Sequence, residues 1–393
     1  MFAPMKVSSH FDGGNIEIVD ITRPGDAHLQ IRRDSHSEFL QWFNFRVSEV
    51  RDLALTLHID NAGETSYPPG WKGYRAVATY DRQHFFRVPT DYDGQRLTIH
   101  HTPTRDSVYY SYFAPYSHER HQDLIARSLA SDDVHHELLG HTLDGRDMDL
   151  LTIGRPDPSR RTCWIVARQH PGETMAEWLV EGLLARLLDP EDPVARELRR
   201  RAVFHVVPNM NPDGSFRGNL RVNAAGANLN REWQNPTRER SPEVLLVRQR
   251  MEQTGVDFCL DVHGDEALPY NFIAGPDGAA YVHTLRLGFT GGSWNTHFPY
   301  LWYVLMQQAN ARLQEALNPG GASVTRGAKR SAMAAGNSGS VARTVSPPPH
   351  PQTTVAVSNR SAERACAQDR VINSGWVPGH WPASPWSSPG GQR

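Results

Sequence analysis

The sequence predicts a mixed α/β protein with an antiparallel β-sandwich first, then an α/β domain whose mixed sheet is flanked by helices, then a tail of low order. Short alternating apolar segments separated by turn residues fill residues 1–115, the signature of a sandwich. Strand-like and helix-like segments then alternate through residues 116–317, the pattern of a sheet covered by helices. Residues 318–393 contain no Leu and no Phe, carry eight Lys and Arg against Glu363 and Asp369, and are dominated by Pro, Gly, Ser and Ala. Such a segment cannot bury enough apolar area to offset its ordering entropy.

Bulk properties exclude several classes. A net charge of −2 gives no field that would draw nucleic acid or an anionic membrane. No apolar run approaches the roughly 18 residues a membrane span needs. Met1–Asp20 lacks a basic stretch followed by an apolar one, so no secretory signal is visible. Cys163, Cys259 and Cys366 are scattered and odd in number, which argues against a disulfide framework and for a reducing compartment. A cytoplasmic protein with neither nucleic-acid nor membrane partners is expected.

In the first domain, alternation marks strands at residues 15–20, 43–47, 53–59 and 76–80, separated by turns such as Asp12-Gly13-Gly14 and Asn61-Ala62-Gly63. Trp42, Phe43, Phe45, Tyr109 and Tyr110 read as core. Phe113-Ala114-Pro115-Tyr116 leaves this domain, and Ser117 is placed to cap a helix carrying Leu124, Ile125 and Leu129. A hairpin follows, from His136 to Leu143, through Asp144-Gly145, to Met148–Ile153. Then come a buried strand at 163–168, an amphipathic helix at 174–188, a strand at 203–208, a helix from Pro242 to Gln253, and a strand at 258–262.

Three of these strands deliver polar groups from their carboxyl ends, where open α/β sheets place their chemistry. After the first come His170 and Glu173, in Arg-Gln-His-Pro-Gly-Glu-Thr-Met. An imidazole and a carboxylate on a short turn can hold one face of a divalent metal. The pairing alone is weak: His-x-x-Glu recurs at His263–Glu266. After the second strand comes Asn-Pro-Asp-Gly at 211–214; from the third comes His263. His263 is the natural third ligand, leaving a fourth position open for water, the form of a catalytic zinc site. The loop from Arg217 to Arg231 is dense in amides and guanidinium groups, which suits recognition of a carboxylate and polarisation of a carbonyl.

Taken in order, His170-Pro-Gly-Glu173, Asn-Pro-Asp-Gly, Asn228-Leu229-Asn230-Arg231 and His263 resemble the M14 zinc carboxypeptidases. The His-Pro-Gly-Glu form and the β-rich domain in front resemble the cytosolic carboxypeptidase branch, which includes deglutamylases and bacterial relatives. The resemblance covers about residues 1–275. It implies one zinc ion held by His170, Glu173 and His263, with Arg221 polarising the scissile carbonyl and stabilising the oxyanion. It implies that Asn230 and Arg231 hold the terminal carboxylate of a peptide or protein tail. It also implies a general-base Glu on a late strand, which is not found. After His263 the glutamates are Glu266, Glu315 and Glu363, and Glu266 is a weak candidate. The missing base and the abrupt loss of Leu and acids point to a C-terminal part that is replaced or out of frame. The branch resemblance alone suggests acidic C-terminal residues as substrates. Three readings stay open: a zinc carboxypeptidase, an amidohydrolase of acylated amino acids on the same scaffold, and a non-catalytic zinc-dependent peptide binder.

Overall fold

The computed structural model describes residues 5–265 and, as backbone, two further strands at Phe272–Ala274 and Gln352–Ser358. In chain order the first domain contains β1 (Lys6–Ser8), β2 (Glu17–Asp20), β3 (Asp26–Gln30), β4 (Asn44–Ser48), β5 (Leu55–Ile59), β6 (Val77–Thr79), β7 (Phe86–Arg87), β8 (Thr90–Tyr92), β9 (Leu97–His101) and β10 (Ser107–Ser111). They form two five-stranded sheets, ordered β1-β4-β10-β6-β7 and β2-β3-β5-β9-β8. All strand pairs here are antiparallel except β3 with β5. Alternation drives the packing: Ala27, Leu29, Leu57, Ile59, Leu97 and Ile99 of one sheet share a core with Phe43, Phe45, Val47, Val108 and Tyr110. Residues 17–20 alternate as expected yet are exposed throughout, because β2 is an edge strand.

The second domain begins with α1 (His118–Ser128), where the Ser117 side chain accepts from the Arg120 amide. There follow β11 (Val134–His141), β12 (Asp147–Ile153), β13 (Arg161–Ala167), α2 (Met175–Leu187), α3 (Pro193–Arg201), β14 (Ala202–Val207), α4 (Pro212–Arg217), α5 (Pro242–Thr254) and β15 (Phe258–Asp265). With β16 (Phe272–Ala274) and β17 (Gln352–Ser358) these build a seven-stranded mixed sheet, ordered β11-β12-β14-β13-β15-β17-β16. β13 runs parallel to both β14 and β15. Three parallel strands therefore open at one edge, and that edge carries the site.

Two helices depart from the sequence reading. α2 is not amphipathic: all its residues are buried except Glu181 and Ala185. One side packs on the sheet, and the first domain covers the other, with Trp178 edge-on to Phe85 and its indole N–H donating to Ala114 O at 3.1 Å. α3 was not anticipated, although Asp192 caps it and Pro193 opens it. The expected low-order tail, 318–393, lies outside the described residues apart from β17, as do Glu266, Glu315, Glu363 and Cys366. Among the described residues no helix is long and apolar enough to cross a membrane.

Candidate metal centre

The turn that leaves β13 is locked by its first residue. Arg168 has φ of 58°, so the chain reverses sharply out of the strand. Its guanidinium donates to Pro171 O at 3.0 Å, to Tyr116 O at 2.9 Å and to Glu177 Oε2 at 2.7 Å. The Pro171-Gly172 segment is then pressed against the Arg217–Arg231 loop: Gly172 N donates to Leu220 O at 2.8 Å. A Cβ on Gly214 would fall 2.5 Å from both Pro171 Cγ and Val222 O, so the Asn-Pro-Asp-Gly turn needs its glycine for close approach. Asp213 of that turn is buried and serves the scaffold, accepting from Thr142 Oγ1 at 2.7 Å, Asp144 N at 2.9 Å and Arg146 Nη1 at 2.8 Å.

This framework brings His170, Glu173 and His263 together, all three buried. His170 Nδ1 lies 2.7 Å from Glu173 Oε1, and His263 Nδ1 lies 2.9 Å from Glu173 Oε2. The two Nδ1 atoms face each other at 3.2 Å. Each ring is anchored through its far nitrogen: His170 Nε2 sits 3.1 Å from Asn228 Oδ1, and His263 Nε2 sits 2.9 Å from Asp261 Oδ2. Asp261 is held in turn by Gln169 Nε2 at 2.6 Å, whose Oε1 accepts from Trp233 Nε1 at 2.9 Å. Anchored far nitrogens fix the tautomer that presents both Nδ1 lone pairs to a common point.

Charge follows from the same contacts. Burial, with Arg221 nearby, pushes His170 down to about 4, so the ring is neutral and able to ligate. Burial opposes charge on His263 as well, but Asp261 and Glu173 on either side outweigh it and push the ring up to about 10. Burial would raise Glu173, yet His170 and His263 hold it well below the usual carboxylate range. Two imidazole nitrogens 3.2 Å apart beside an ionised carboxylate need a cation between them, either a proton or a metal. The donor set of two nitrogens and one carboxylate fits zinc with one position left open.

Of the remaining expected site residues, Arg221 stands near enough to His170 to act on its charge. Arg221 is buried, with its guanidinium carbon 5.6 Å from the Phe39 ring centre. Its own amide, with those of Leu220 and Val222, donates to the carboxylate of Asp34 in the first domain, at 2.7, 2.6 and 3.2 Å. Asn230 is buried, whereas Arg231 is partly exposed and its Nη1 donates back to Asn230 O at 3.1 Å. Glu266 lies outside the described residues. Three contributors had no role in the sequence reading. Asp261 could have been found, since residues two apart on a strand share a face with His263. Asn228 and Asp34 could not, because their contacts exist only after distant segments meet.

Comparison with known proteins follows the same division. The model of the cytosolic carboxypeptidase N-terminal domain matches residues 7–113, and that of zinc carboxypeptidase matches residues 125–268. An uncharacterized protein of Zymomonas mobilis is 54% identical over 275 residues, covering 70% of this chain and 71% of the relative. Mouse cytosolic carboxypeptidase 6 is 28% identical over 67% of this chain, which spans 54% of that longer protein. Among solved structures, a metallo-carboxypeptidase from Burkholderia cenocepacia is 46% identical with a TM-score of 0.69, covering 72% of this chain and 80% of that one. A metallo-carboxypeptidase from Pseudomonas aeruginosa, in complex with (2-guanidinoethylmercapto)succinic acid, is 42% identical with a TM-score of 0.67, covering 72% and 76%. With both of its domains matched in order, this chain belongs to the M14 zinc carboxypeptidase family, as a metallocarboxypeptidase preceded by the N-terminal domain of the cytosolic carboxypeptidases.

Proposed function

We propose that this chain removes C-terminal residues from peptides or protein tails, with one zinc ion held by His170, Glu173 and His263. The observation that carries this reading is the convergence of the two Nδ1 atoms and the Glu173 carboxylate, with each far nitrogen anchored by Asn228 or Asp261. When bound, zinc supplies a Lewis acid that polarises a carbonyl and makes water nucleophilic at neutral pH. The chain's own residues do the rest. Arg221, brought in from the loop beside His170, stabilises the negative charge that grows on the carbonyl oxygen. Asn230 and Arg231 take the terminal carboxylate, so that only the last peptide bond reaches the metal side. Asp261 and Asn228 keep both imidazoles aimed. The succinate compound bound by the Pseudomonas aeruginosa relative carries two carboxylates, chemistry that suits a metal paired with an arginine clamp.

The test is metal analysis of the purified chain together with a panel of peptides bearing free or amidated C-termini. One zinc in the catalytic domain, turnover of free but not amidated C-termini, loss on chelation and inhibition by (2-guanidinoethylmercapto)succinic acid are the expected results. Turnover of acylated amino acids alone would replace the peptidase with an amidohydrolase on the same residues. A second reading is favoured by one observation: after His263 the glutamates are only Glu266, Glu315 and Glu363, none in a stretch whose sequence reads as the expected late strand. In that reading the chain binds C-termini without cleaving them. Tight zinc-dependent peptide binding with no turnover is its signature. Turnover that Glu266→Gln abolishes would instead make Glu266 the proton carrier.

A further inference from the structure

The outer face of the second N-terminal sheet carries a cluster of metal-binding side chains that the carboxypeptidase chemistry does not use. β3 and β5 run parallel with His28 opposite His58, and β9 lies antiparallel on the other side of β5 with Thr98 opposite His58. Alternation sends Ala27, Leu29, Leu57 and Ile59 into the core. It leaves Asp26, His28, His58 and Thr98 together on the opposite face. The two imidazoles stack with centroids 4.8 Å apart at 27°. Both aim Nε2 at one atom: Asp26 Oδ1 lies 3.5 Å from His58 Nε2 and 4.0 Å from His28 Nε2. That oxygen is closed off from solvent and has no hydrogen bond among the described residues. The far nitrogens are engaged, with His28 Nδ1 2.9 Å from Asp60 Oδ2 and His58 Nδ1 3.1 Å from Thr98 Oγ1. Asp60 is itself paired with Arg96 Nε at 2.7 Å.

We propose that Asp26, His28 and His58 form a second divalent-cation site, of the zinc type, that pins β3 to β5. Ligand atoms around a tetrahedral zinc with bonds of about 2.0–2.2 Å stand roughly 3.3–3.6 Å apart, against 3.5 and 4.0 Å for the two Nε2–Oδ1 separations and 4.8 Å as the outer limit for the set. The Asp60 carboxylate on His28 Nδ1 fixes the tautomer that leaves Nε2 free to ligate, and the Thr98 hydroxyl on His58 Nδ1 accommodates the same tautomer. Two imidazoles and one carboxylate select zinc over the harder calcium and magnesium. The side chains of Asp26, His28 and His58 keep 29%, 31% and 17% of their exposure, so the cluster lies at the water-facing surface of the sheet although the Asp26 oxygen itself is covered. The strands it ties are joined only by the long segment from Ile31 to Ala54, so the clamp acts on a non-local, parallel pair in an otherwise antiparallel sheet. This site stands in a different sheet from His170, Glu173 and His263 and is independent of what they do.

The experiment strips the full chain with chelator and titrates it with zinc alone against a chromogenic competitor. Two equivalents per chain are expected. His28→Gln and His58→Gln should each remove one equivalent while leaving C-terminal hydrolysis unchanged, and His263→Ala should remove the other. Asp60→Asn, which touches no metal, should weaken the first of these sites by roughly 10–100-fold. Nitrogen-15 spectra of the unmodified protein give a readout that needs no variant: zinc should shift Nε2 of His28 and His58. A total of only one equivalent per chain that His263→Ala abolishes, two equivalents retained in folded His28→Gln, or unmoved Nε2 signals in saturating zinc would each overturn the proposal. In those cases Asp26, Asp60 and Thr98 hold the stacked pair without a metal.

Discussion

At the scale of single residues, the centre depends on what holds His263. Its Nε2 faces Asp261 Oδ2 at 2.9 Å, so its Nδ1 is the nitrogen presented beside Glu173. Asp261→Asn keeps an oxygen there but removes the charge that raises the ring's basicity. Zinc affinity is expected to fall roughly 10–100-fold with no loss of fold, because the Gln169 contact persists in part. Chelator competition with a circular dichroism control measures this; unchanged affinity would show that Asp261 only fills space. How far such roles can be read in a sequence depends on separation along the chain. His170 and Glu173 share one turn, and the spacing of Asp261 and His263 carries the same kind of local signal. The contact of Asn228 with His170 has no such signal, since two loops from different strands must close before it exists. The proton carrier stays unassigned for a different reason: the glutamates after His263 are Glu266, Glu315 and Glu363, and the sequence around them does not carry the strand pattern expected of it.

At the scale of elements, a buried ionic chain joins the helices to the sheet. His121 on α1 lies 2.7 Å from Glu177 Oε1 on α2 and 2.9 Å from Asp149 Oδ2 on β12. His136 of β11 meets the other oxygen of Asp149 at 2.7 Å, and Arg168 meets the other oxygen of Glu177. Burial disfavours a charged His121, but the two carboxylates overcome it and push the ring up to about 9. A histidine whose folded pKa lies above its unfolded value of about 6.5 stabilises the fold fully below that value. The contribution is lost as pH rises through about 9. Unfolding free energy is therefore expected to drop between pH 6.5 and 9 by an amount on the order of 3 kcal/mol from this group. Urea denaturation across that range checks the slope, which should flatten in His121→Gln. That variant should also lose roughly 1–3 kcal/mol at neutral pH, because one oxygen of each buried carboxylate loses its charged partner while His136 and Arg168 still hold the other. The elements themselves were largely readable, since apolar runs bounded by turn residues mark β13, β14 and β15 directly. α2 misled because its charged residues Glu177 and Arg186 suggest a wet face, whereas both are buried against partners that only the folded chain supplies.

At the scale of the whole molecule, the N-terminal domain grips the loop of the second domain that carries Arg221. Asp34 accepts the amides of Leu220, Arg221 and Val222. Nearby, Asn15 Nδ2 donates to Gly218 O at 2.9 Å and Gly13 N donates to Phe216 O at 2.9 Å. One continuous apolar core runs from the sandwich into α1, α2 and the large sheet. The alternating strands of residues 1–115 announced a sandwich, but nothing in their periodicity could announce that its loops grip the segment carrying Arg221. Asp34→Ala would leave three buried donors without an acceptor, at a cost of roughly 2–4 kcal/mol after the loop relaxes. Because Arg221 moves with its backbone, a displacement near 1 Å should also cost about 100-fold in kcat. Asp34→Asn retains one acceptor oxygen and should fall between Asp34→Ala and the unmodified chain on both measures. Zinc content should stay unchanged in both variants, because the His170, Glu173 and His263 cluster is anchored elsewhere. Steady-state kinetics on a free C-terminus peptide, read beside metal analysis and thermal unfolding, separate these effects. Full activity in a destabilised Asp34→Ala protein would reduce the N-terminal domain to a mere support, whereas lost turnover with zinc intact would make it part of the catalytic apparatus.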